Sequence, residues 1–259
     1  NLHLKSTDGA ATTIIKSGAP VTVKFSADDV TLEGFTIDHV DNTTDSRAIG
    51  PQATDGAIIK DNIIINAKRG IQGQWYGEPT NLTIDGNIFE SSVLYGIAGT
   101  EGMTGLVVTG NTFRTSIEGI GLGVGVEVND VFALLAGQTW ELTGGYAVKD
   151  YRVATIYVVS SASIQDAIDH AVTGDTIMVL PGAYAEQVVI NKDVTVEGQN
   201  SPVRNGDPAE VYGTVTLNAD GASLLDMVVI PGAVSGSEAA VFVTAGNTTV
   251  AGNLIKDMT

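Results

Sequence analysis

The chain reads as an all-β solenoid of stacked, parallel strands, and three observations carry that reading. First, one phrase recurs: a β-branched run, a Gly or Asp, usually an Asn, then a second apolar run. It appears as VTLEGFTI at 30–37, IIKDNIII at 58–65, LTIDGNIF at 82–89 and LVVTGNTF at 106–113. Its turn residues, Gly34, Asp61, Gly86 and Gly110, are spaced by 27, 25 and 24 residues. A period of this length marks units that bury an apolar face only against the next copy. Second, the phrase returns near the C-terminus as VTVEG at 194–198, LLDMVV at 224–229 and TVAGNLI at 249–255. Third, 31 Gly against 7 Pro, with no Cys and 43% hydrophobic residues, suits many tight turns around a real core without disulfide staples.

Taken in order, LHLKS at 2–6 opens on a rung strand, with Ser6 standing 28 residues before Gly34. The segment 1–67 matches 193–259 at an offset near 192, so two related modules are expected. The first spans 1–123 and lacks its start; an irregular connector covers 124–162; the second spans 163–259 and lacks its end. Each rung, of about 24–28 residues, should hold three short strands whose side chains alternate between core and solvent. Core candidates are Leu32, Phe35, Ile37, Ile59, Ile63, Ile65, Leu82, Ile84, Ile88, Val108, Val194, Val196, Leu225, Val228, Val250 and Leu254. Asn62, Asn87, Asn111 and Asn253 follow the turn residue; Asn tolerates left-handed backbone, and stacked Asn side chains can bond along a solenoid. VFALL at 131–135 fits a short helix or a strand, and Gly144-Gly145 marks a turn. One amphipathic helix is expected near 163–172: Ser163 as N-cap, Asp166 three residues on, and Ile164, Ala167, Ile168 and Ala171 on one face. Gly174-Asp175 ends it, and strands follow at 177–184 and 188–190.

The string SIQDAIDHAVTGDTIMVLPGAYAEQVVINKDVTVEG at 163–198 resembles the opening of right-handed parallel β-helix proteins, the superfamily of pectin-lyase-like enzymes and NosD-like repeat proteins. There a helix caps the first rung and a strand ending in Pro-Gly-x-Tyr follows. The later rungs resemble the family's Gly-Asn repeats. The resemblance implies a right-handed parallel β-helix. It implies no single activity, because the fold carries lyases, hydrolases, esterases, epimerases, adhesins and surface-layer proteins. Here the cap-like helix stands mid-chain, with rungs before and after it.

Charge narrows the partners. A formal charge of −17 with 13 Lys and Arg would repel a phosphate backbone, so no nucleic acid is expected, and acidic polysaccharides would need bridging cations. No apolar run approaches the ~18 residues of a membrane span, and no basic-then-apolar leader is present. The paired-Asp motifs of β-helical hydrolases and the Gln and Asp-Phe motifs of pectin methylesterases are not found, so no catalytic residue is assigned. Lys68, Arg69 and Arg114, with Glu90 and Glu118, form the nearest lyase-like cluster, and solvated surface is the better reading of them. His3, His39 and His170 lack metal-ligand spacing, so no cofactor is expected beyond a Ca²⁺ held by Asp38, Asp41 and Asp45. Gly119, Gly121, Gly123 and Gly125 suit a tightly turning rung rather than a phosphate loop.

Trp75 and Tyr76 are the candidate carbohydrate platform. Asn42, Asn81 and Asn247 sit in glycosylation triplets, which would imply an extracellular surface. The expected role is a non-catalytic protein of the cell envelope whose open rung edges bind copies of itself, as a layer, sheath or filament. The alternative is a β-helical lyase, hydrolase or epimerase, or a carbohydrate-binding protein with cell-surface polysaccharide as partner.

Overall fold

The computed structural model describes residues 2–40, 46–73, 77–128, 130–200, 207–231 and 239–256. They form a parallel β-solenoid of about nine turns with two short helices. The chain divides into two compact units, Asn1–Thr143 with Asp150–Arg152, and Gly144–Lys149 with Val153–Thr259.

In the first unit, each turn contributes one strand to each of three sheets. Sheet one holds Leu2–Lys5, Val30–Glu33, Ile58–Lys60, Thr83–Asp85 and Val107–Thr109. Sheet two holds Ile14–Ser17, Thr36–His39, Ile63–Ile65, Ile88–Phe89, Thr112–Phe113 and Thr139–Trp140. Sheet three holds Val21–Phe25, Arg47–Pro51, Arg69–Gln72, Tyr95–Ala98 and Glu118–Leu122. Equivalent residues of successive turns face one another. Leu4, Leu32, Ile59, Ile84 and Val108 align on sheet one. Val23, Ile49, Ile71, Ile97 and Ile120 align on sheet three. On sheet two the aligned row becomes aromatic, with Phe89 on Phe113 at 4.7 Å and Phe113 on Trp140 at 4.8 Å between ring centroids. Such stacks match the strand spacing of ~4.8 Å, so one ring fits per turn.

Between sheets one and two the backbone turns at Gly34, Asp61, Gly86 and Gly110, all at positive φ. The Asn that follows is not the left-handed residue. It turns inward, and Asn62, Asn87 and Asn111 are wholly buried. The Asn87 amide nitrogen Nδ2 donates to Asn111 Oδ1, Ile59 O and Asp85 O. Its Oδ1 accepts from both Asn62 N and Asn62 Nδ2. Gln138 ends the row, accepting from Asn111 N and Nδ2. This inward Asn sets the phase of the next strand. Ile64 and Phe89 are fully buried, while Ile63, Ile65 and Ile88, read from the sequence as core, are only partly buried. Treating the Asn as a turn residue shifts the alternation by one. Val250 and Leu254, also assigned to the core, are exposed on the last described turn.

VFALL belongs to a helix, Val131–Ala136, whose N-cap Asp130 accepts from Phe132 N and Ala133 N and whose Leu134 and Leu135 are buried.

The second unit stacks Thr155–Val158, Thr176–Val179, Thr195–Gly198, Ser223–Leu225 and Thr249–Ala251. A second sheet holds Gly182–Tyr184, Ala209–Tyr212, Val228–Ile230 and Leu254–Ile255, and a third Val188–Ile190, Val215–Leu217 and Val241–Val243. The expected helix is Ile164–His170, capped by Ser163, with Ile164, Ala167 and Ile168 buried in the unit's core. The following turn closes both helix ends. Glu186 accepts from Ile164 N, Gln165 N and Ser163 Oγ, while Lys192 Nζ donates to Asp169 O and Ala171 O. These charges match the helix polarity, negative at the N-terminus and positive at the C-terminus. The Tyr of Pro-Gly-x-Tyr, Tyr184, is buried, and its hydroxyl donates to Val158 O and Leu180 O. Its side chain therefore locks two turns.

Glu33, nearly buried on sheet one, is ringed by Lys5 at 2.6 Å, His3 at 2.7 Å and Lys60 at 3.1 Å. Hydrogen bonding from Lys5, then from Lys60 and His3, holds its carboxyl down to about 2. A depressed carboxylate contributes stability above its unfolded value of 4.5 and loses it as pH falls toward the folded value. Comparing unfolding midpoints of wild type and Glu33→Gln across this window should show wild type's advantage shrinking on acidification. A difference that stays constant from neutral pH to about pH 2 would contradict the assignment.

Candidate functional site

Sheet three of the first unit repeats a short triplet. Arg47-Ala48-Ile49, Arg69-Gly70-Ile71, Tyr95-Gly96-Ile97 and Glu118-Gly119-Ile120 occupy successive turns. Arg47, Arg69, Tyr95 and Glu118 are register partners in one row. The glycines follow from the aromatic stack opposite. A Cβ on Gly70 would lie 2.7 Å from the Phe89 ring, and one on Gly96 would lie 2.7 Å from the Phe113 ring. The isoleucines are buried, so Gly and Ile both face inward. Positions three apart, Arg69 and Gln72, Tyr95 and Ala98, Glu118 and Gly121, are left to line the outside.

There they bound a cleft of about 280 Å³, with Thr100, Glu101 and Tyr151 completing its polar lining. Thr100 is buried and pins its loop to the next turn, donating from Oγ1 to Gly121 O and accepting from Gly123 N. That contact lays Glu101 against Gly123, where a Cβ would fall 2.4 Å from Glu101 Cγ. Tyr151 reaches the cleft from a turn fixed by Asp150 and Arg152. The Arg152 guanidinium donates to both Asp150 oxygens and to Val126 O and Val128 O.

Glu118 forms the floor at 2% exposure, and the Tyr151 hydroxyl donates to its Oε2 at 3.3 Å. Burial, then the Glu118 charge and hydrogen bond, then Tyr95 and Glu101, push the Tyr151 hydroxyl above its ordinary range. It therefore remains a donor. The Arg69 guanidinium stands 6.0 Å from the Tyr95 ring centroid, a cation–π distance. Gln72 is oriented by Arg47, whose Nε donates to its Oε1. Glu101 Oε2 is buried from water and finds no hydrogen-bond partner among the described residues. The cleft thus offers two tyrosine rings, one guanidinium, two carboxylates and one carboxamide.

Of the residues singled out in the sequence, Arg69 and Glu118 line this cleft, and the others lie elsewhere or outside the described residues. Trp75, Tyr76, Asp41, Asp45 and Asn42 fall outside the described residues. Asp38 is buried, and its two oxygens accept from Asn66 Nδ2 and Lys16 Nζ, which hold its carboxyl below the usual range. Among the described residues no three His, Cys, Asp or Glu side chains converge as a metal site. Asn81 is exposed at positive φ, with Nδ2 donating to Asp55, and Asn247 is exposed at positive φ. The basic cluster divides: Arg69 and Glu118 line the cleft, whereas Arg114 pairs with Glu90 and Glu141, each at 2.7 Å. His3 bonds Glu33, His39 is buried against Thr22, and His170 is exposed on its helix. Nothing in the sequence alone singles out Gln72, Glu101 or Tyr151. The triplet repeat was the available signal for Tyr95, since it aligns that residue with Arg69 and Glu118. Glu101 and Tyr151 lie outside any repeat.

No protein-family model, no curated protein and no solved structure matches this chain.

Proposed function

We propose that this chain is a carbohydrate-binding β-solenoid of the cell exterior, related in kind to the non-enzymatic right-handed parallel β-helix proteins. The observation that carries this reading is the pairing of Tyr95 and Tyr151 with Glu118, Glu101, Arg69 and Gln72 in one cleft. Sugar rings present C–H faces that pack on aromatic rings and hydroxyls that need donors and acceptors at the edge. A volume of 280 Å³ stands at the small end of the usual ~300–1,000 Å³ for ligand sites, room for a short stretch of a glycan chain. The chain's −17 charge favours a neutral or cationic glycan over an acidic one. The exposed Asn81 and Asn247 triplets are in keeping with an extracellular setting. Binding to immobilised glycans tests the reading: wild type should retain at least one neutral or basic polysaccharide, and Tyr95→Ala should weaken it about tenfold without altering the circular dichroism spectrum. Failure of wild type to retain any glycan would remove the proposal.

A further inference from the structure

We propose that the cleft recognises the acetamido group of an N-acetylated sugar, the acetyl carbonyl accepting a hydrogen bond from Gln72 Nε2. The inference deepens the carbohydrate-binding reading and rests on it. Its ground is a side-chain amide whose two ends are assigned by chemistry. Gln72 lines the cleft, and Arg47, buried and off the lining, donates from Nε to Gln72 Oε1. A guanidinium nitrogen only donates, so the end of the amide facing Arg47 is the carbonyl oxygen and the other end is the NH2. That Nε2 has no partner among the described residues. Unlike Glu101 Oε2, it is not sealed from water. Gln72 is thus a donor of fixed direction that a ligand can reach.

What stands beside the donor selects the acceptor. Ala98, the register partner of Gln72, lies one strand spacing, ~4.8 Å, along the stack and puts a methyl on the lining. Gly99 follows it, and Gly121 and Gly123 line the next turn without side chains, which leaves room for a small substituent. The Thr100 hydroxyl is spent on Gly121 O and Gly123 N. An acetyl group carries its carbonyl oxygen and its methyl on one carbon, so a carbonyl received by Gln72 brings the methyl toward Ala98. A plain hydroxyl accepts from Nε2 equally well but leaves the Ala98 surface without an apolar partner. A protonated amino group has only donors and opposes the Gln72 NH2. A uronic carboxylate accepts, but it enters the field of a chain at −17.

The test is titration of the full chain with tetramers of N-acetylglucosamine, N-acetylgalactosamine, glucose, glucosamine and galacturonic acid. One of the two acetylated tetramers should bind at least about tenfold more tightly than each of the other three, the discrimination one added methyl group gives in a fitted pocket. Gln72→Glu keeps an oxygen for Arg47 and exchanges the outward donor for an acceptor. It should bring that tetramer and the glucose tetramer within about twofold, with an unchanged circular dichroism spectrum. Raising salt should leave the preference over glucose as it was, because neither sugar is charged. Equal or tighter binding of any unacetylated tetramer overturns the acetamido site while the glycan reading stands. So does a preference that survives Gln72→Glu, or absence of binding by all five in a wild type that retains another glycan on the immobilised panel. Absence of binding by all five, with no glycan retained on that panel, removes both. The wild-type comparison needs no variant to fold.

Discussion

One row of buried carboxamides fixes the first unit. Asn62, Asn87 and Asn111 sit where the chain passes from sheet one to sheet two, each bonded to the turn above, the turn below and its own backbone. A buried amide is tolerated only when its donors and acceptors are met, and here the neighbouring turn meets them. A turn out of step by one residue would bury an unsatisfied amide and bring partly exposed Ile63 or Ile88 into the core position. In a strand such as Ile63-Ile64-Ile65, apolar on both faces, the side-chain pattern marks no register, and the row supplies that mark.

From that register the rest follows in steps. With the Asn turned inward, alternation brings Ile64, Phe89 and Phe113 to the interior, and the rings stack because they recur at the strand spacing. The rings fill the space facing sheet three, so the opposing positions are Gly70 and Gly96. With glycine set against the rings, the residues that precede it, Arg69, Tyr95 and Glu118, form the row that lines the cleft. The cleft is therefore a consequence of the core: its residues are placed by what stands behind them. The second unit uses a shorter version of the device, with Asn253 accepting from Met227 N and donating to Leu224 O.

The repeat made the architecture legible, because stacked turns write their period directly into the sequence. The helix at 164–170 was legible for the same kind of reason, its cap and apolar face being local. What local pattern could not supply was the orientation of Asn, since the same residue suits a left-handed turn and an inward ladder. The choice depends on a neighbour about 25 residues away. The cleft was half legible. In the sequence Arg69 and Glu118 stand as charges on nearby turns, indistinguishable there from Arg114, which the structure commits to Glu90 and Glu141. Tyr151 enters the cleft from a turn after the repeat has lapsed, so no spacing announces it.

The central claim is that the carboxamide row, more than the apolar rows, holds the turns in step. The direct measurement is the unfolding free energy of Asn87→Ala. Removing this side chain leaves Asn62 N and Ile59 O without their partners, and a loss of about 3 kcal/mol is predicted for groups so deeply buried. A loss below about 0.5 kcal/mol, the size of an ordinary surface substitution, would contradict it.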